Sequence, residues 1–77
     1  MRRVQVQQPQ GLISVLLNSN AEYGDRDDAA MDLGSFDDPQ AEDALLKVAL
    51  DSSTDPDLAD RCRESLMEIQ RRKNNVT

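Results

Sequence analysis

The sequence predicts an all-α fold of four helices, paired as two tandem antiparallel hairpins. Three observations carry that expectation: an internal repeat, apolar residues recurring every three or four positions, and two Asp-Pro helix starts. A shift of 33 residues places Leu12, Ile13, Val15, Leu16, Leu17, Asn18 and Ser19 on Leu45, Leu46, Val48, Ala49, Leu50, Asp51 and Ser52. The same shift places Asp27 on Asp60, Ala29 on Cys62, Leu33 on Leu66 and Phe36 on Ile69. Each unit therefore reads as a pair of amphipathic helices, the pattern of a stacked helical repeat.

The elements follow in order. Residues 1–8 form an N-terminal segment with a strand-like stretch from Arg3 to Gln7. A first helix from about Pro9 to Leu17 has a broad apolar surface, and a shorter one from about Asp25 to Leu33 presents Arg26, Ala29, Ala30 and Leu33 before Gly34 stops it. The third helix starts at Pro39, with Asp38 as N-cap, and ends near Asp51 where Ser52, Ser53 and Thr54 break the periodicity. Its residues Ala41, Ala44, Leu45, Leu46, Val48, Ala49 and Leu50 make an apolar face wide enough to require contacts on two sides. The fourth helix starts at Pro56 behind the N-cap Asp55 and runs to about Lys73. Its single stripe, Leu58, Cys62, Leu66 and Ile69, marks a superficial helix. One domain covers 1–77, with a first unit at 9–41, a second at 42–73 and a tail at 74–77. The expected core is Leu12, Leu16, Ala29, Leu33, Leu45, Val48, Cys62, Leu66 and Ile69, with Leu66 buried from both units.

The run Ala29-Ala30-Met31-Asp32-Leu33-Gly34, then Phe36-Asp37-Asp38-Pro39, Ala44-Leu45-Leu46 and Ala49-Leu50-Asp51, resembles the short bacterial HEAT-like repeat of phycobilisome-lyase-like proteins. The resemblance runs from about Arg26 to Ile69 and implies a right-handed two-layer stack used as a protein-binding surface. An arginine opening the first helix of each repeat belongs to the pattern. Arg26 supplies it in the first unit, whereas Ala59 occupies the place in the second, with Arg61 nearby as a substitute. A tetrapyrrole-handling activity by analogy finds no aromatic lining in a chain whose only aromatics are Tyr23 and Phe36.

Composition narrows the function further. With no histidine, no tryptophan and one cysteine among 77 residues, the chain lacks an imidazole general base, an imidazole metal site and an internal disulfide. A chain this short encloses little volume for a substrate, so no enzymatic activity and no cofactor are expected. Asp51, Ser53, Asp55 and Asp57 imitate the opening of a calcium loop, but Pro56 stands where the glycine belongs and Cys62 where the bidentate glutamate does. These residues read instead as helix caps and turns. Cys62 reads as a small buried side chain on the apolar stripe.

The net charge of −6 is unevenly placed. The stretch 22–60 is acidic apart from Arg26 and Lys47, while Arg2, Arg3, Arg61, Arg63, Arg71, Arg72 and Lys73 lie near the ends. A phosphate backbone would be repelled by that centre, so nucleic acid is not an expected partner. The longest apolar run, 11–17, is too short to span a bilayer, and no apolar leader follows Arg2 and Arg3; no membrane association and a cytoplasmic location are the expectation. The chain reads as an acidic protein-binding module, of adaptor, chaperone or immunity-protein type, with a basic protein as partner. The alternative is a structural homo-oligomer or a detached piece of a larger HEAT-like scaffold. Two units leave an end face open, and a second chain, a homo-oligomer included, is expected to cover it. The residues expected to meet the partner are Asp25, Asp27, Asp28 and Asp37 on the acidic surface, with Leu12 and Leu16 on the first helix.

Overall fold

The computed structural model describes residues 9–75, which form four helices and, among those residues, no strand. The strand-like stretch expected at Arg3 to Gln7 lies outside the described residues. The helices are α1 (Pro9–Leu17), α2 (Tyr23–Leu33), α3 (Pro39–Leu50) and α4 (Pro56–Asn74). Helix α1 packs on α2 and α3 on α4 within each unit, and the units join through α2 with α4 and α1 with α3.

Local chemistry sets the helix ends. The Asp38 carboxylate accepts from the Gln40 N–H at 2.8 Å and the Asp55 carboxylate from the Asp57 N–H at 2.8 Å, each beside a proline that has no N–H to satisfy. Helix α2 begins at Tyr23, two residues before the expected Asp25, because the extended Glu22 already offers its carbonyl to the Arg26 N–H. The repeat is visible in these ends. Helices α1 and α3 stop at the equivalent Leu17 and Leu50, and α2 and α4 start at the equivalent Tyr23 and Pro56. The turn between them is built twice in the same way, with the Asn18 side chain accepting from the Asn20 N–H and the Asp51 side chain from the Ser53 N–H, both at 2.9 Å.

The core contains Leu16, Ala29, Ala30, Leu33, Ala41, Ala44, Leu45, Val48, Ala49, Leu58, Cys62 and Ile69. Leu12 and Leu66, expected inside, are only partly buried against it. Leu33 is covered because the second unit sits on it, whereas among the described residues no unit packs over its repeat partner Leu66. Helix α3 is covered on two sides, by α4 and by α1, as its wide apolar face requires, while Leu46 and Leu50 stay 47% and 75% exposed. Helix α4 is less superficial than its stripe suggested, since Ala59 and Ser65 are also buried.

Gly34 ends α2 with a right-handed φ of −64°, so left-handed freedom is not its role. A Cβ there would lie 3.0 Å from the Ser65 Cβ and Oγ, and the absence of a side chain lets α2 approach α4. At that approach the Ser65 hydroxyl donates to the Ala30 carbonyl at 2.6 Å. Gly34→Ala should therefore cost about 1–3 kcal/mol as overpacking. Leu33→Ala should cost about 2–5 kcal/mol, and the equivalent Leu66→Ala about half as much. Equal urea midpoints for the two leucine variants would refute the covered-against-open assignment.

Candidate functional site

Helix α2 divides its carboxylates between two flanks, because residues 25, 28 and 32 fall on one side of a 3.6-residue helix and Asp27 on another. Asp27 turns toward α4, where it accepts from the Arg61 guanidinium at 3.0 Å. That ion pair crosses the two units and is partly buried. Asp27's hydrogen bond, and then its charge, push the Arg61 guanidinium further up from its already high range. Arg61 also reaches Glu64 at 3.0 Å, so its side-chain hydrogen bonds among the described residues go to Asp27 and Glu64. Arg26 donates through Nε to the Leu16 carbonyl at 2.9 Å and satisfies an orphan acceptor at the end of α1.

Asp37 lies on the connection between the units and pairs with Arg72 at 3.0 Å, while Arg72 also donates to the Gly34 carbonyl at 2.7 Å. Asp25 and Asp28 are exposed on the opposite flank of α2, joined there by Asp32, and these three make no ion pair among the described residues. The acidic cluster expected at the two ends of α2 is thus not one surface. Asp27 and Asp37 hold the units together, Asp38 caps α3, and only Asp25 and Asp28 face outward unpaired. Leu16 is corrected as well: it is fully buried in the core and unable to touch a partner.

The free flank borders a groove between α1 and α2. Leu12, Val15 and Ala29 supply its apolar surface, Asn18 and Ala21 one end, and Asp25, Asp28 and Asp32 its acidic rim, around a volume of about 410 Å³. Val15 and Asp32 were missed from sequence, although the spacing 25, 28, 32 on a helix already marks one face. A second hollow of about 470 Å³, between the end of α2 and α4, carries exposed Met31 and Met67. Its charges are already matched, Arg61 with Glu64 and Arg71 with Glu68.

No group of three or more potential metal-ligating side chains occurs among the described residues. Asp51, first in the imitation calcium loop, instead accepts from both the N–H and the hydroxyl of Ser53, and the backbone bond foremost holds its carboxyl below the ordinary range. Among the described residues no helix is long and apolar enough to cross a membrane. No family model, no curated protein and no solved structure matches the chain.

Cys62 is fully enclosed, and burial pushes its thiol from the ordinary 9.0 up to about 11. The unfolded thiol ionises first as pH rises, so the stability associated with the neutral folded thiol is complete below pH 9 and is lost between pH 9 and about 11. The loss should approach about 1.4 kcal/mol per unit within that window. Urea titrations of the wild type and Cys62→Ala should diverge in slope there, with the variant the flatter; parallel curves would refute a buried neutral thiol.

Proposed function

We propose that the chain is a non-enzymatic protein–protein interaction module, a small acidic adaptor, chaperone or immunity-type protein whose basic protein partner meets the α1/α2 end. The observation that carries this reading is the apolar groove rimmed by Asp25, Asp28 and Asp32, carboxylates that no cation of the described chain neutralises. Six other carboxylates, Asp27, Asp37, Glu42, Asp60, Glu64 and Glu68, have a basic neighbour, and Asp38, Asp51 and Asp55 accept from backbone N–H groups as caps and turns; Glu22, Asp43 and Asp57 are unpaired among the described residues too but do not line the groove. Opposite charge across an interface accelerates encounter and selects the partner. The contact residues of this reading are Leu12, Asp25 and Asp28, with Val15 and Asp32 added by the geometry.

A HEAT-like stack is the architecture that fits. Support comes from the equivalent helix ends, the duplicated turn, and the pairing of α2 with α4 and α1 with α3 across the units. The second reading, a homo-oligomer or a piece of a larger scaffold, is favoured by the opposite end, where Leu46, Leu50 and part of Leu66 lie open.

Reversal of Asp25 and Asp28 to lysine tests the first reading. A basic partner captured by the wild-type protein should associate at least about tenfold more slowly with the variant at 0.1 M salt, and the difference should shrink at 1 M as the Debye length falls from about 10 Å to about 3 Å. The melting temperature should move little, since both side chains are exposed. Binding indifferent to both reversal and salt, together with a stable oligomer of the isolated chain, would favour the structural reading.

A further inference from the structure

The repeat register allows each end of the molecule to be compared with its interior. In the second unit Leu45, Val48 and Cys62 are buried, covered by the first unit. Their counterparts in the first unit are Leu12, Val15 and Ala29, and here Leu12 and Val15 are only partly buried. The α1/α2 groove is therefore the same kind of surface that, one unit later, receives a layer of helices.

A second copy stacked head to tail in that register does not fit it. The seam between α2 and α4 buries Ala30 and leaves no room at Gly34, where even one Cβ would meet Ser65 at 3.0 Å. At the far end of the molecule the counterparts of Ala30 and Gly34 are Arg63 and Met67, both exposed and both long. Charge does not favour the same arrangement. Inside the seam Arg61 faces Asp27, but the counterpart of Arg61 on the open groove is Asp28, and the counterpart of Asp27 on the far end is Asp60. Asp28 would meet Asp60, whose charge Arg63 already matches, so this arrangement brings no unpaired cation to answer Asp28. The groove keeps the apolar floor of a helix-docking surface and reverses the charge at its rim.

We infer that the α1/α2 groove docks a cationic amphipathic helix of another protein. Its apolar stripe would lie against Leu12 and Val15, and lysine or arginine side chains at i, i+3 or i+4, and i+7 would face Asp25, Asp28 and Asp32. The three carboxylates span about 10 Å of helix axis, so two to three turns of the partner suffice. This inference rests on the interaction reading above and names the class of ligand for that site.

The test is a titration of the isotopically labelled full chain with a synthetic leucine/lysine peptide of about four turns, leucines at helical spacing on one side. A scrambled peptide of identical composition is the control for charge alone. The expected result is amide shifts confined to Leu12, Val15, Asn18, Ala21 and residues 25–32, at least about tenfold weaker binding of the scrambled peptide, and a similar loss in Asp28→Lys/Asp32→Lys. Asp28→Asn/Asp32→Asn gives a neutral variant in case the reversed one fails to fold, and it should also weaken binding. Equal binding of the two peptides, or unchanged affinity in the neutral variant, would overturn the inference. Shifts confined to Leu46 and Leu50 would overturn the inference and, with it, the α1/α2 site of the interaction reading. No shift at millimolar peptide, while capture of a native basic partner still depends on Asp25 and Asp28, would overturn the helical occupant alone.

Discussion

Helix α2 approaches α4 so closely that a serine hydroxyl reaches a backbone carbonyl, and the joining of the two units depends on that approach. Ser65 donates to the Ala30 carbonyl at 2.6 Å in a buried setting, and the glycine at 34 leaves room for that approach. Arg61 with Asp27 closes one end of this seam, and Arg72 with the Gly34 carbonyl and Asp37 closes the other. The apolar core then fills from both sides, with Leu33 on the first unit and Cys62 and Ile69 on the second all removed from water. The polar contacts are worth little individually, about 1 kcal/mol or less for partly exposed pairs. They also mark the register, Ser65 donating to Ala30 on α2 and Arg72 to Gly34 just past its end.

Charge has separate roles on the two flanks of one eleven-residue helix. On the flank toward α4, a carboxylate meets an arginine and belongs to the fold. On the other flank, carboxylates stand beside an apolar groove with no cation of the described chain near enough to pair. A solubilising surface needs only scattered charge, and an apolar floor beneath it adds nothing to solubility. The combination of unpaired acids and half-buried Leu12 and Val15 is what sets this end apart from the rest of the acidic surface.

Most of the fold was legible in the sequence because its determinants are local. Asp38-Pro39 and Asp55-Pro56 fix two helix starts within the span of a few residues, and the 33-residue register aligns the rest. Burial at the ends was not legible. Repeat equivalence carries helix identity from Leu33 to Leu66 but not the neighbour that covers it, since coverage depends on whether another unit follows. The site was half legible for a related reason. A run of Asp25, Asp27 and Asp28 reads as one acidic cluster along the chain, yet one residue of helical rotation is 100°, enough to send Asp27 into the seam and leave Asp28 in solvent. Leu16 failed as a contact residue because α1 is apolar on more than one side, and composition alone does not say which side faces inward.

The hydrogen bonds that join the units share nearly the same separation along the chain, from 34 residues for Arg61 with Asp27 to 38 for Arg72 with Gly34. A seam of this kind closes in the manner of a zip. The entropy of closing one loop of that length is incurred by the first contact, whichever it is, and each later contact closes only the few residues that separate it from the last. Folding kinetics should then show a single barrier whose height is insensitive to which end of α4 docks first. The two hairpins would form and dissolve as one cooperative unit, despite a sequence that reads as two.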